Sequence, residues 1–400
     1  MMKTLFIICC MSLAVMATSD QKELEDLLHN GNSRFTANMF SEVSKTNPKK
    51  SFVLSAYSVM TPLAQLGLAS VGESHDELLN AIGLPNDNVT REVFSMVNTK
   101  LRAVKDVTLK VASKIYVAKG FELNSEFVAV TRDTFDSEVQ NLDFNQKQNA
   151  ANEVNTWVED HTNKRIKDLV DPDSLSDDTR ALLVNAIYFK GLWDAQFDKA
   201  LTREKDFHVT KNDKIKVSMM NRRGDYKYTE SAALKSQVIE IPYKGHEASL
   251  VIVLPLKIED IDEVQEMLKA PTLLDKALSE MYEVEVDLSI PRFKIETTTD
   301  LKDILTKMNV KKMFSPAEAR LDNLLKNVKD SLYIASAIQK AFIEVNEEGA
   351  EAAAANVFGV SATSAIINQQ PPPVFYADRP FYFVVKMNSL SLFNGIIYGQ

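Results

Sequence analysis

Few residues of this sequence have the types and spacing that a catalytic or metal site requires. Segment 72–76, GESHD, holds the three residue types of a serine hydrolase triad side by side. Neighbouring residues on a helix do not face one another, so these side chains cannot act together and better suit the acidic first turn of a helix. The five histidines show no metal-ligand spacing, and the sequence has no G-x-S-x-G, H-E-x-x-H or Walker motif. We therefore expect no enzyme activity, no cofactor and no metal.

The most informative segment is 346–356, NEEGAEAAAAN, in which alanine fills every position from residue 350 to residue 355 except Glu351. Alanine alone favours a short exposed helix. However, the apolar, β-branched stretch before it, 331–345, predicts a strand, and the stretch after it, 359–373, predicts an exposed loop. Small side chains can enter between two strands without clashes, and Gly349 lets the backbone turn at the entrance. The pattern favours a loop that can later join a sheet as a new strand.

Two segments resemble a known family. Segment 340–356, KAFIEVNEEGAEAAAAN, resembles the hinge of the reactive loop in serpins, the serine protease inhibitors, and is most similar to members from insect haemolymph. Segment 183–193, LVNAIYFKGLW, is similar to the central serpin strand at whose end the loop first inserts, and Asn185 and Trp193 fall on family positions. The resemblance covers essentially the whole chain from residue 18 to residue 400.

This resemblance implies the fold class and the domain organisation. It implies an α+β single domain with a large central mixed sheet, smaller sheets, about nine helices and an exposed C-terminal reactive loop at about residues 349–374. The order of predicted elements, with helices first and strands later, independently favours an α+β arrangement. Helices are predicted at 58–69, 73–82, 90–104 and 149–164, and strands at 109–117, 181–189, 284–290, 381–385 and 392–398.

The resemblance also implies residues that support loop insertion. Ser55 and Ser58 match the paired serines beneath the opening of the main sheet, although by themselves they would be interpreted as helix caps. Gln339 stands where many serpins carry a histidine, so it can bridge donors and acceptors but cannot open the sheet by titration. Arg292 is expected to face Glu347 at the loop entrance; the alternative is two unrelated surface charges.

A serpin is attacked by a serine protease at its loop, becomes acylated to it, and inserts the loop as a strand before the ester is hydrolysed. Matching to the family directs the side chains of six loop residues inward. These are Ala350, Ala352, Ala354, Asn356, Phe358 and Val360. Asn356 is the polar exception and would need a hydrogen-bonding partner in the core. The small residues at the first three positions favour inhibition over the alternative of a noninhibitory carrier, storage protein or chaperone.

Family spacing predicts Thr363 as the acylated residue, followed by Ser364. Because the loop is longer than in many serpins, Ala362, Ser364 and Ala365 stay open as alternatives. All four residues are small, and no lysine or arginine lies between residues 349 and 378. A shallow, elastase-like pocket suits such residues. The expected partner is therefore an elastase-like serine protease in a covalent acyl complex, with a chymotrypsin-like protease as the alternative.

The first seventeen residues predict a secretory signal peptide, with Lys3 before the apolar run 5–14 and a small-residue cleavage site at 15–17. Cys9 and Cys10 both lie within it, so a mature chain would form no disulfide. The formal net charge of −9 does not favour binding to nucleic acid or an anionic membrane. Basic residues at 91–105 alternate with acidic ones, so heparin binding is not favoured either.

One N-glycosylation sequon, N-V-T at Asn88, is predicted to lie in a polar loop after Pro85. The sequence thus predicts a secreted, extracellular, monomeric glycoprotein.

Overall fold

A computed structural model describes residues 2–327, 332–349 and 371–399, with side chains from residue 21 onward. Its helices are α1 (Met2–Thr46), α2 (Ala56–Ala69), α3 (Glu73–Ile82), α4 (Asp87–Ala103), α5 (Ser125–Phe135), α6 (Lys147–His161), α7 (Ile261–Met267), α8 (Pro271–Ser279) and α9 (Leu301–Lys307). Its strands are β1 (Phe52–Leu54), β2 (Val107–Ala118), β3 (Glu138–Leu142), β4 (Ala181–Gly191), β5 (Arg203–His208), β6 (Lys214–Ser231), β7 (Ser236–Pro242), β8 (Ala248–Pro255), β9 (Tyr282–Pro291), β10 (Phe293–Asp300), β11 (Ser336–Val345), β12 (Val374–Tyr376), β13 (Phe381–Met387) and β14 (Leu390–Ile397).

One sheet has five strands in the order β10-β11-β4-β2-β3 and is mixed. β11 runs parallel to β4, whereas β10 is antiparallel to β11 and β2 is antiparallel to β4. β4 is central and almost wholly buried, as its continuous apolar run predicts for a strand covered on both faces. Leu183 and Ile187 face the larger core, and Leu182 and Val184 face a smaller core that includes α6 residues.

A second sheet has nine strands, eight of them in the order β1-β14-β13-β8-β7-β6-β9-β12, with β5 paired to β6. Helix α2 contacts β14 of this sheet and β2 and β4 of the first. All fourteen residues of α2 are buried, which explains why the helix is apolar on every side. The predicted α+β architecture with a mixed central sheet is confirmed.

Most predicted elements occur near their expected positions. The helix at 73–82 coincides with α3, and the strand predicted from residue 331 begins at Ser336. Ser74 and His75 lie in the first turn of α3. The Ser74 hydroxyl donates to the Glu318 carbonyl oxygen at 3.0 Å, and His75 lies 2.8 Å from an Asp87 carboxylate oxygen. Segment 72–76 is therefore the beginning of a helix, as interpreted.

The predicted loop at the sequon is wrong, because Asn88 lies in the first turn of α4. Asn86 caps this helix by accepting a hydrogen bond from the Val89 backbone N–H at 3.0 Å. Thr90 is buried and its hydroxyl donates to the Asn86 carbonyl oxygen at 2.8 Å, while the Asn88 residue itself is exposed. The helix itself was predicted, but from residue 90; an asparagine followed by an acidic residue is a helix-start signal that could have placed its beginning correctly.

None of the helices in the described part of the chain combines the length and the apolar character needed to cross a membrane.

Candidate functional site

The candidate site is built around the pairing of β4 with β11. The two strands are parallel and paired over seven positions, from Leu182 opposite Ser336 to Tyr188 opposite Phe342. We call this pairing the seam. Parallel pairing is slightly less stable per residue than antiparallel pairing, so the seam is a comparatively weak contact at the centre of the sheet. Asn185 lies directly opposite Gln339 at its midpoint.

Four buried side chains join the seam to the first turn of α2. We call them the polar cluster: Ser55, Ser58, Asn185 and Gln339, each with no exposed surface. The Gln339 amide nitrogen lies 2.9 Å from the Asn185 side-chain oxygen, 3.0 Å from the Ser58 hydroxyl and 2.8 Å from the Ser55 carbonyl oxygen. Its side-chain oxygen accepts from the Ser55 backbone N–H at 3.2 Å. Gln339 therefore connects β11 to both neighbouring elements.

Asn185 makes the corresponding connection from β4. Its side-chain oxygen accepts from the Ser58 hydroxyl at 2.6 Å, and its amide nitrogen donates to the Ser58 carbonyl oxygen at 2.8 Å. Ser55 is at the same time the N-cap of α2, because its hydroxyl accepts from the Ser58 backbone N–H at 3.2 Å. Ser55 is therefore a helix cap, and both serines are also hydrogen-bonded to side chains of the seam. Their role in supporting loop insertion stays a prediction.

After Val345, the last residue of β11, the chain reverses in a four-residue turn, Asn346–Gly349, which we call the hinge turn. The backbone N–H of each end residue donates to the carbonyl oxygen of the other, at 3.1 and 3.2 Å. Gly349 has φ +114°, and a Cβ at this residue would lie 2.2 Å from the Gly191 carbonyl oxygen. Glycine is therefore required both by the backbone conformation and by the close approach of β4.

The hinge turn is hydrogen-bonded to the segment that follows β4. The Trp193 backbone N–H donates to the Glu348 carbonyl oxygen at 3.0 Å, and its indole N–H donates to the Asn346 carbonyl oxygen at 2.8 Å. Gly349 forms an antiparallel β-bridge with Leu192. The last residue of the hinge turn is thus aligned, in the antiparallel sense, with the residue that follows β4.

The two carboxylates of the hinge turn are both engaged. Glu347 is buried; it accepts from the Thr202 hydroxyl at 2.8 Å and lies 3.6 Å from the Arg292 guanidinium. Glu348 pairs with the Lys199 ammonium group. The predicted contact between Arg292 and Glu347 is therefore present in the structure.

Comparison with known proteins agrees with this geometry. The sequence profile of the family described as "Serpin (serine protease inhibitor)" matches residues 30–398. The chain belongs to the serpin family.

The chain is 54% identical to alaserpin of Manduca sexta, over 97% of this chain and 98% of that protein. It is 55% identical to antichymotrypsin-2 of Bombyx mori, over 94% and 99% of the two chains. The crystal structure of Serpin48 of the insect Tenebrio molitor has a TM-score of 0.86 at 32% identity, covering 94% of this chain and 98% of that one. The family and these insect relatives support protease inhibition.

In the described part of the chain, most residues predicted from the sequence lie in two groups. The first group is the polar cluster; the second, at the entrance, contains Trp193, Arg292, Glu347 and Gly349. Asn88 lies apart from both groups, in α4. The predicted positions of the loop lie outside the described residues; they are Ala350, Ala352, Ala354, Asn356, Phe358, Val360, Ala362, Thr363, Ser364 and Ala365. Within the described ranges, no group of three or more histidine, cysteine, aspartate or glutamate side chains is arranged to hold a metal ion.

Sequence reasoning missed three residues of the entrance: Lys199, Thr202 and Tyr243. The Tyr243 ring stacks on Trp193 with centroids 4.5 Å apart and an interplanar angle of 7°. Burial raises the pKa of the Tyr243 hydroxyl above its ordinary value. These residues lie 50 to about 150 positions away from their partners along the chain, and nothing in their local sequence marks the contact.

We predict that Gln339→Met destabilises the intact serpin by about 1–3 kcal/mol, although the two side chains are similar in size. Methionine cannot accept from the Ser55 backbone N–H or donate to Asn185, so buried polar groups lose their partners. Urea denaturation of the uncleaved protein measures the change. The matched control is Gln140→Met, because Gln140 donates to Glu153 at an exposed position. If the two variants lose equal amounts of unfolding free energy, the polar cluster does not stabilise the closed sheet in the way proposed.

We further predict that Gly349→Ala displaces the hinge turn and changes the fluorescence of Trp193. The new Cβ cannot coexist with the Gly191 carbonyl oxygen at 2.2 Å. The measurement is made in a Trp157→Phe background, because the chain has two tryptophans. Gly120→Ala is the control, since Gly120 has a similar φ of +105° but nothing within 4 Å of its Cβ position. If the Trp193 emission shifts in both variants, the cause is backbone strain and not contact with β4.

Proposed function

We propose that this chain is a secreted suicide-substrate inhibitor of serine proteases, and that its loop inserts at the seam. One observation carries the proposal. The hinge turn reverses the chain after the last residue of β11 and aligns Gly349 antiparallel to Leu192, one residue beyond β4. A chain that continues in this direction enters the space between β4 and β11.

The register of that bridge makes the proposal specific. If it continues by one residue at a time, Ala350 lies opposite Gly191, Ala354 opposite Ile187 and residue 360 opposite Ala181. The loop segment 350–360 then spans the whole of β4. Residues opposite each other in an antiparallel pair point to the same face. The even-numbered loop residues would therefore face the same core as Ile187 and Ala181, which agrees with the inward positions expected from the family.

The same register gives the polar loop residue a partner. Asn356 falls opposite Asn185, at the level of the polar cluster. Insertion would separate Gln339 from Asn185 by one strand, and the Asn356 amide would then lie where the Gln339 amide had been. An amide carries both donors and an acceptor, so it can satisfy the groups that Gln339 leaves. The one polar inward residue thus coincides with the buried polar site of the strand it would join.

Insertion of this strand would release free energy. It would replace one parallel pairing by two antiparallel pairings, since the new strand runs opposite to both β4 and β11. About fifteen residues at ~3.3 Å each would carry an attached protease roughly 50 Å. The protease serine oxygen forms an ester with the loop carbonyl carbon as the peptide bond breaks, and the new amino group leaves with a proton. Displacement then disrupts the protease before water hydrolyses the ester.

For the target, we favour elastase-like proteases and cleavage after Thr363, with Ala362, Ser364 and Ala365 as alternatives. A trypsin-type pocket would hold a buried carboxylate without a cationic partner, because no lysine or arginine lies between residues 349 and 378. The relatives do not decide between the targets, since one of them is named antichymotrypsin-2. A chymotrypsin-like target is the alternative. The proposal includes removal of residues 1–17, a monomeric state, and a glycan on the exposed Asn88.

The test is incubation of the mature protein with elastase-, chymotrypsin-, trypsin- and subtilisin-type proteases. We expect an SDS-resistant complex with the elastase-type enzyme, and a released C-terminal peptide whose mass identifies cleavage between residues 362 and 366. A complex with a different cleavage site would refute the assignment of the bond alone. Complete cleavage by every enzyme without a complex would instead support a noninhibitory serpin.

We predict that Ala350→Arg converts the inhibitor into a substrate. In the register above, Ala350 is the first inward residue, so a long cation would have to enter the sheet without a partner, which costs several kcal/mol. The protease should still acylate the loop, but slower insertion lets hydrolysis occur first. The measurement is the number of inhibitor molecules consumed per protease inactivated, which we expect to rise at least tenfold. Glu351→Ala, on the opposite face, is the control and should change this number much less.

A further inference from the structure

The polar cluster depends on a residue that lies outside it. Pro62 is buried in the interior of α2, seven positions after the N-cap. In an α-helix the backbone N–H of residue 62 would donate to the carbonyl oxygen of residue 58. Proline has no N–H, so the Ser58 carbonyl oxygen lacks its usual helical donor. This oxygen is the one that accepts the Asn185 amide N–H at 2.8 Å.

We propose that Pro62 is a positioning residue that fastens β4 to α2 by leaving the Ser58 carbonyl oxygen free for Asn185. The acceptor is buried and faces the seam, and a buried carbonyl group needs a donor. The missing helical donor is thus replaced by a side chain from the sheet. Pro62 is unfavourable for the helix itself, but it allows the Asn185 side chain to hold β4 against α2.

The two strands of the seam are attached to the first turn of α2 by different numbers of hydrogen-bonding contacts. Gln339 lies within hydrogen-bonding distance of Ser55 and Ser58 through three contacts, at 2.8, 3.0 and 3.2 Å. Asn185 reaches α2 through two contacts, both on Ser58. Opening the seam requires β4 or β11 to separate from the first turn of α2. The β4 side has fewer of these contacts, and one of its two uses the carbonyl oxygen that Pro62 leaves free.

A Pro62→Ala variant tests this role directly. The alanine N–H would donate to Ser58 within the helix and compete with Asn185. We expect the seam to open more readily, and the backbone amides of residues 336–342 to exchange hydrogen about 2- to 12-fold faster, the factor that corresponds to one net hydrogen bond. The measurement is hydrogen–deuterium exchange with mass spectrometry on the intact, uncleaved protein. Pro85→Ala, at an exposed proline before α4, is the matched control and should leave this exchange unchanged.

The same substitution in an Asn185→Ala background separates the proposed role from a general effect on the helix. If Pro62 acts through Asn185, Pro62→Ala should change the exchange of residues 336–342 by less than twofold in that background. Equal acceleration with and without Asn185 would overturn the proposal, as would unchanged or slower exchange in the single variant. Should Asn185→Ala fail to fold, Asn185→Ser provides the second background.

The consequence for inhibition rests on the proposed function, but the exchange experiment does not. If the chain forms no complex with any protease, the proposed function fails while the exchange of the seam still reports on Pro62. If it does form a complex, faster opening should bring the number of inhibitor molecules consumed per protease inactivated closer to one.

Discussion

The hydrogen bonding beneath the seam is the constraint on which the rest of this structure depends. Ser55, Ser58, Asn185 and Gln339 are fully buried, and leaving one of their polar groups without a partner costs about 1–3 kcal/mol. The closed sheet satisfies these groups by contacts between α2, β4 and β11. Any rearrangement that separates the two strands has to supply replacement partners at the same depth. The cluster therefore stabilises the closed sheet and also restricts which strand could be accommodated in an open one.

The hinge turn shows how the chain is prepared for such a rearrangement without undergoing it. Gly349 allows the backbone to approach β4 so closely that a side chain would not fit, and Trp193 fixes the turn through backbone and indole hydrogen bonds. The indole is itself held by stacking on Tyr243. Gly349 is thus held in antiparallel alignment with Leu192, while β4 is paired with β11 from Leu182 to Tyr188.

Local sequence signals predicted the elements well and the contacts between them poorly. The apolar run of β4, the amphipathic spacing of α3 and the all-apolar α2 each report directly on burial, so their positions could be predicted. The strand containing Gln339 was also predictable, but nothing in its local sequence indicates that it pairs directly with β4. The contacts of Glu347 with Thr202 and of Glu348 with Lys199 join residues far apart in the sequence, and such contacts depend on topology. The first turn of α4, which contains Asn88, was missed because the polar residues around it were attributed to a loop, whereas Asn86 is in fact the cap of this helix.

The chemistry of the polar groups differs along the seam in a way that would suit the opening of the sheet that the proposed function requires. The polar cluster at the centre consists of neutral amides and hydroxyls, whose hydrogen bonds can be exchanged for those of another neutral side chain without desolvating a charge. The ion pairs of the hinge turn lie at the entrance, where Arg292 is half exposed and Lys199 is more than half exposed. When an ion pair at this end separates, its cation is exposed enough to be hydrated, although Glu347 itself is buried. A buried ion pair at the centre would instead leave an uncompensated charge on opening, at a cost of several kcal/mol. Because the ion pairs of the hinge turn lie outside the polar cluster, they can hold the turn in place without placing a charged group among the buried amides and hydroxyls.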